Sequence, residues 1–345
     1  MTQDMANTNG YLLTVEDLKT YFPVKRGLLR RTIGYVRAVD GISFGIEKGQ
    51  TLGLVGESGC GKTTVAQSCV RLVPATAGKV VFEGTDVLSA DRVKLRQIRR
   101  QISLIFQDPY GSLNPRMTVG NIVGEPLRVH KNVSGSELSE RIASLLSKVG
   151  LSRRDINRYP HEFSGGQRQR IGIGRALALE PKLVICDEAV SALDVSIQSQ
   201  ILNLLKDLQE EFGLTYLFIA HDLAVVEFFC DIVAVMYMGR IVEQAAAERL
   251  YQNPLHPYTR ALMSAIPRVE PSLRGRRAPA ASPPPVASQR EAAGGGGEVP
   301  SASNPPVGCA FGPRCPLAGD DCLKQMPALK ESSVSEGHFV ACWKS

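Results

Sequence analysis

Short continuous apolar runs alternate along this chain with stretches in which apolar residues recur every three or four positions. Thr51-Leu52-Gly53-Leu54-Val55, Leu183-Val184-Ile185-Cys186 and Leu217-Phe218-Ile219 are runs of this kind. Each is brief and apolar throughout, without the alternation of a half-exposed strand, so each predicts a strand covered on both faces. A helix is expected from Thr63 to Leu72, directly after the first run. Ile197, Ile201, Leu204, Leu205 and Leu208 share one face of another helix, which Gly213 is placed to stop. Strands and helices in this order give an α/β fold with a mostly parallel sheet. The span 110–165 departs from it. Leu138, Ile142, Leu145, Leu146 and Val149 keep helical spacing there with no central strand, which predicts a helical insertion.

Composition breaks at 268–307, where Pro, Ala, Ser and Gly dominate and four glycines run together at 294–297. Such a segment buries too little apolar surface to offset its ordering entropy and is expected to be a flexible linker. It divides a body at 11–267 from a cysteine-bearing tail at 308–345. The overall 43% apolar and 21% charged residues fit a globular core. A net charge of +6 is small for this length, and the basic pairs (Lys25-Arg26, Arg30-Arg31, Arg99-Arg100) are isolated, so no nucleic-acid partner is expected. The first ten residues carry no secretory pattern, and no apolar run is long enough to span a bilayer. Work at a membrane would therefore require docking on a partner that crosses it. Cys60, Cys69, Cys186 and Cys230 are scattered, and a chain this long needs no disulfide scaffold, which points to a reducing, cytosolic setting.

Gly56-Glu57-Ser58-Gly59-Cys60-Gly61-Lys62-Thr63 follows the pattern G-x-x-x-x-G-K-[ST] between a predicted strand and a predicted helix. Glycines let backbone N–H groups wrap an anion closely, and the helix N-terminus adds to the attraction. Lys62 is expected on the β- and γ-phosphates of a nucleotide and the Thr63 hydroxyl on Mg²⁺, with Thr64 completing the nucleotide-binding run. Asp187 and Glu188 end the apolar run 183–186. A carboxylate at that point suits a second metal contact, and its neighbour is placed to polarise an attacking water. Ser164-Gly165-Gly166-Gln167 opens a helical stretch and offers a second anion cradle. One nucleotide has no need of two cradles from one chain. The pair predicts a head-to-tail dimer in which each nucleotide lies between the loop of one subunit and the Ser-Gly-Gly of the other.

Together these motifs resemble the nucleotide-binding domain of ATP-binding cassette (ABC) transporters. Phe106-Gln107-Asp108-Pro109, Ser112-Leu113-Asn114-Pro115-Arg116, Tyr159 to Gln167 and Asn253 to Thr259 resemble the oligopeptide/dipeptide permease ATP-binding subunits. Gln167-Arg168-Gln169-Arg170-Ile171-Gly172-Ile173 is similar to the second of their two paralogous subunits. The resemblance implies a P-loop NTPase cassette with an antiparallel β subdomain, hydrolysing ATP to drive peptide import. It implies that Gln107 senses the γ-phosphate and Mg²⁺, that Asp194 crosses the dimer interface and that His221 contacts the γ-phosphate. An aromatic ring, Tyr35 or Tyr21, should stack on adenine. The implied partners are a paralogous or identical ATPase, two membrane permease subunits and, indirectly, an extracytoplasmic solute-binding protein. The implied location is peripheral, on the cytoplasmic face of the membrane. Two departures stand out: Phe163 replaces the common Leu before Ser-Gly-Gly, and Ala189 stands where Pro usually follows the Asp-Glu pair.

Cys309, Cys315, Cys322 and Cys342 form C-x₅-C-x₆-C-x₁₉-C in the tail, with Pro313 and Pro316 bracketing Cys315. Four thiolates suit tetrahedral Zn²⁺ or an iron–sulfur cluster, and structural zinc more often shows tighter pairs. Resemblance to the permease ATPases implies a [4Fe–4S] cluster. Two other functions stay open on sequence: an importer ATPase for nickel or another small solute, and a soluble non-transport ABC ATPase.

Overall fold

A computed structural model describes residues 10–27, 31–108, 111–264, 303 and 305–345. The expected linker lies outside the described residues apart from 303 and 305–307. Strands β1 (Tyr11–Arg26) and β2 (Arg31–Glu47) pair antiparallel. β3 (Thr51–Val55) follows and runs into α1 (Lys62–Cys69). β4 (Ala77–Phe82) returns along β1, and β5 (Thr85–Asp86) adds to it, giving a four-stranded antiparallel sheet ordered β2-β1-β4-β5. Next come α2 (Arg92–Gln101) and β6 (Ile102–Ile105). The helical insertion follows as α3 (Val119–Pro126) and α4 (Gly135–Lys148), leading into α5 (Gly165–Leu177). The chain then re-enters the main sheet through β7 (Leu183–Asp187), α6 (Val195–Phe212), β8 (Thr215–Ala220), α7 (Leu223–Phe229) and β9 (Ile232–Tyr237). β10 (Arg240–Ala246), α8 (Ala247–Gln252) and α9 (Pro257–Ser264) close the body. The C-terminal segment supplies α10 (Asp320–Lys324), β11 (Lys330–Ser332) and β12 (Ser335–Val340).

The main sheet has eight strands in the order β11-β12-β10-β9-β3-β8-β7-β6. Strands β9, β3, β8, β7 and β6 are parallel, and β10, β12 and β11 run antiparallel at one edge. Its parallel strands are covered on both faces, which is why their sequences show no alternation. Leu52, Leu54, Leu183, Ile185, Leu217 and Ile219 pack with residues of the antiparallel sheet, α1 and α2. Val55, Val184, Cys186, Tyr216 and Phe218 pack on the other side with residues of α3 to α8. Every strand predicted from an apolar run is present. The helix after the loop ends at Cys69 rather than Leu72, because Arg71 turns to φ 54°. Gly213, at φ 62°, ends α6 as expected.

The cysteine-bearing segment is an extension of the cassette's own sheet and core. β12 pairs with β10 through Glu243↔Val340 and Gln244↔Phe339. Ala310 and Phe311 are buried in the same apolar cluster as the main sheet. Phe311 packs on Tyr237 and Tyr258, each with ring centroids 5.4 Å away. Glu243 is fully buried, and its carboxylate accepts bonds from Leu255 N (2.6 Å), His256 N (3.0 Å) and His338 Nε2 (2.7 Å). A buried carboxylate is tolerable only with partners of this kind, so one residue of β10 ties the 255–257 turn to β12.

Candidate functional site

The phosphate loop lies between β3 and α1, at the carboxyl end of the parallel strands. Gly56 and Gly61 have φ of 155° and 107°. A Cβ at either would lie 2.1 Å from the Met236 carbonyl oxygen or 2.0 Å from that of Ala38, so no side chain fits. The turn between β9 and β10 backs the loop: Gly239 N donates to Cys60 O (2.9 Å), and Gly239 O in turn accepts from Asp40 N of β2 (2.8 Å). Lys62 is buried, with Nζ donating to the carbonyls of Gly56 (2.7 Å) and Glu57 (3.0 Å). Burial raises the Cys60 thiol, with Lys62 partly offsetting it, so this cysteine is a small neutral filler.

The predicted catalytic residues meet beside this loop. Thr63 Oγ1 donates to Asp187 Oδ1 at 3.0 Å. Burial raises the Asp187 carboxyl, the bond from Thr63 opposes that rise, and Glu188 adds to it. A buried, partly desolvated carboxylate beside a threonine hydroxyl offers the oxygen ligands a hard divalent cation takes. Glu188 follows at φ 49°, a strained value for a non-glycine, with its N–H fixed to Ile219 O (3.0 Å). Its Oε2 accepts from Gln107 Nε2 at 2.7 Å and lies 3.4 Å from His221 Nδ1. Gln107, Glu188 and His221 come from three different strand ends and converge on one carboxylate oxygen.

Ser164 caps α5, accepting from Gln167 N (3.4 Å) while Gln167 Oε1 accepts from Ser164 N (3.0 Å), a reciprocal capping box. A Cβ on Gly166 would stand 2.4 Å from Ile197, and one on Gly165 would touch Leu193. This cradle therefore packs on the turn holding Asp194, whose carboxylate caps α6 through Ile197 N (2.9 Å). The Arg158 guanidinium lies 4.3 Å from the Phe163 ring centroid, a contact that gives the aromatic a partner where Leu would have none. Ala189 is buried directly after Glu188. Of the two aromatic candidates, Tyr35 is exposed, while the Tyr21 hydroxyl bonds to Asp40, and burial followed by that bond pushes its pKa up to about 12.

The four tail cysteines all line one small pocket, together with Phe311, Leu317, Pro327 and Trp343. Burial raises the Cys309 and Cys315 thiols, and neighbouring thiols raise them further. Four soft donors on one pocket suit a thiophilic metal. Their arrangement is short of ligation: among the described residues no group of three or more His, Cys, Asp or Glu side chains closes to metal-holding geometry. Sequence reasoning marked Asn253 to Thr259 by resemblance without giving Tyr258 a role, and it overlooked Arg314; both residues hold Glu57 of the phosphate loop. Tyr258 Oη accepts from Glu57 N (2.9 Å), and Arg314 grips the Glu57 carboxylate. A single Tyr or Arg 201 or 257 positions away carries no local signal.

Comparison with known proteins agrees with this geometry. Residues 39–191 match the ABC transporter family, and residues 242–288 and 280–322 match the Oligopeptide/dipeptide transporter, C-terminal region family. The oligopeptide transport ATP-binding protein AppF of Bacillus subtilis is 50% identical over 334 residues, covering 96% of each chain. OppF of Salmonella typhimurium, with the same description, is 50% identical over 336 residues, again 96% of each chain. Among solved structures, cbiO1 of Clostridium perfringens, part of the ABC transporter complex cbiONQ, superposes with a TM-score of 0.61 at 28% identity, covering 71% of this chain and 92% of that one. A dimeric post-hydrolysis state of the ATP-binding cassette MJ0796 bound to ADP and Pi gives 0.61 at 28% identity, covering 68% and 98%. Half-identical to such relatives along nearly their whole length, and with its phosphate loop, Gln107, Asp187, Glu188 and His221 gathered at the carboxyl end of the parallel strands, the chain belongs to the ABC transporter family as an ATPase of the oligopeptide-transport ATP-binding type.

Proposed function

We propose that this chain hydrolyses ATP to energise import of di- and oligopeptides, docked peripherally on the cytoplasmic side of a membrane permease. The observation that carries the reading is the convergence of Gln107 and His221 on Glu188 beside the Thr63–Asp187 pair, in a chain half-identical to oligopeptide transport ATP-binding proteins. No helix among the described residues is long and apolar enough to cross a membrane, which is consistent with a subunit that relies on membrane partners.

In this reading the backbone of Gly56–Thr64 and the Lys62 ammonium bind the phosphates. Thr63 and Asp187, with Gln107, would hold Mg²⁺, which when bound spreads the charge of the transferring phosphoryl group. Glu188 polarises the attacking water, and Gln107 and His221 hold its carboxylate while sensing the γ-phosphate. Ser164 to Gln167 and Asp194 serve the nucleotide of a second subunit, a paralogue or an identical chain. The dimeric ADP-bound cassette it resembles supports that pairing. ATP closes the pair and hydrolysis reopens it, moving the two permease subunits, with a solute-binding protein delivering cargo. Tyr35 or Tyr21 stacks on adenine. The four cysteines would hold a [4Fe–4S] cluster, with Zn²⁺ the alternative, and their sharing of one pocket supports that donor set. Iron analysis and the visible spectrum of anaerobically purified protein separate the two metals, and a colourless zinc-loaded sample overturns the cluster.

The test is Glu188→Gln in the complex with its permease subunits. ATP binding should persist while hydrolysis and labelled-peptide uptake fall by about a hundredfold or more. Unchanged hydrolysis removes Glu188 from its role. ATP-driven uptake of nickel without peptide by the unaltered complex overturns the cargo.

A further inference from the structure

We propose that Arg314 is a positioning residue of the nucleotide site, through which the C-terminal cysteine segment sets the affinity of the phosphate loop for ATP. This rests on the reading of Gly56–Thr63 as that loop. Arg314 closes a short turn, Gly312–Arg314, and directly precedes Cys315. Its guanidinium makes a forked pair with Glu57: Nη1 lies 3.0 Å from Oε2 and Nη2 3.1 Å from Oε1. Nη1 also donates to Tyr237 Oη at 3.3 Å, and the guanidinium carbon lies 5.8 Å and 5.7 Å from the ring centroids of Tyr237 and Phe311. Both charged groups are partly buried. The fork, the aromatic walls and the hydroxyl together fix the guanidinium in one orientation.

Glu57 is the second residue of the loop, and it is held at both ends. Its N–H donates to Tyr258 and its carboxylate accepts from Arg314, while its own carbonyl accepts from Lys62 Nζ. A free carboxylate here would repel the triphosphate that the loop's N–H groups are aimed to receive. Arg314 cancels that charge and pins the loop. The turn bearing Arg314 is itself braced on cysteine backbone: Gly312 N donates to Cys309 O (2.8 Å), Cys315 N to Gly312 O (3.2 Å) and Cys309 N to Cys322 O (2.6 Å). Disturbance of the cysteine pocket therefore reaches the phosphate loop through the Arg314 side chain, beside the packing of Phe311 on Tyr258.

Equilibrium binding of a slowly hydrolysed MgATP analogue to the full-length chain tests this, with Trp343, the sole tryptophan, reporting on the cysteine pocket it lines. Arg314→Met should weaken binding about tenfold. Arg314→Lys should lose less, and Glu57→Gln placed in the Arg314→Met background should restore most of the loss by removing the repulsive charge. That rescue is decisive even if Trp343 emission shifts in Arg314→Met, because the second substitution alters only the loop. Unchanged affinity in Arg314→Met, or a loss that Glu57→Gln does not relieve, overturns the proposal. Lys62→Ala in the same assay guards the underlying reading: full affinity there would show that the loop is not the nucleotide site.

Discussion

The two flanks of the phosphate loop are built differently. On one flank, Thr63 of α1 bonds to Asp187, and the groups around Glu188 come from Gln107 and His221 at strand ends of the parallel sheet. On the other, Glu57 is held by Tyr258 of α9 and by Arg314 of the C-terminal segment. The first flank gathers groups suited to chemistry on the γ-phosphate. The second holds the shape and charge of the loop without offering a reacting group. Substitutions on the two flanks should therefore move different kinetic constants.

The largest effect belongs to the residue the flanks share. Lys62 lies between them, and Lys62→Ala should lower ATP affinity by about a hundredfold or more, read by equilibrium binding. Next is acid. Burial holds the His256 pKa down to about 4 from an ordinary 6.5, with Glu243 and a bond to the Ala341 backbone opposing the shift. Above 6.5 the ring is neutral in folded and unfolded chains alike. Below it the unfolded chain gains a proton that the folded one refuses, so stability is lost as pH falls from 6.5 to about 4, by about 3 kcal/mol in total. Denaturant titrations at stepped pH should show this slope, and His256→Asn should remove it. A slope unchanged in that variant would assign the loss to other groups.

The chemical flank was legible in the sequence because its residues lie in contiguous motifs whose spacing is set by a strand end and a helix start. Gly56–Thr63 and Asp187-Glu188 are such cases, as is Ser164-Gly165-Gly166 away from this flank, and continuous apolar runs gave the buried strands around the loop. The holding flank was not legible. β12 is a short polar strand, Ser335–Val340, whose place beside β10 depends on Glu243 and His338, 95 positions apart. Arg314 reads in sequence as one more surface cation between Pro313 and Cys315. Long-range pairs of this kind leave no periodicity in the sequence.

A smaller effect should follow from Glu243→Gln, which keeps the shape of the carboxylate but leaves one of its three donors poorly matched. A loss of about 2 kcal/mol in stability is expected, with Trp343 emission shifting before the cassette unfolds. A single transition with no such precedence would mean that the C-terminal strands and the cassette unfold as one unit. The smallest effect is expected at Phe163→Leu. It removes the ring facing Arg158 but keeps an apolar side chain before Ser164, so ATPase turnover of the assembled transporter should stay within about twofold. A large loss there would move Phe163 from packing into the machinery of the cradle.

The contrast between the flanks is tested most directly by steady-state ATPase kinetics of Asp187→Asn and Arg314→Met, assembled with the same partner subunits. Asp187→Asn should lower kcat by about a hundredfold, and Arg314→Met should raise KM about tenfold while leaving kcat within about twofold. If both substitutions lower kcat alike, or if Arg314→Met leaves KM untouched, the division of the loop into a reacting flank and a holding flank is wrong.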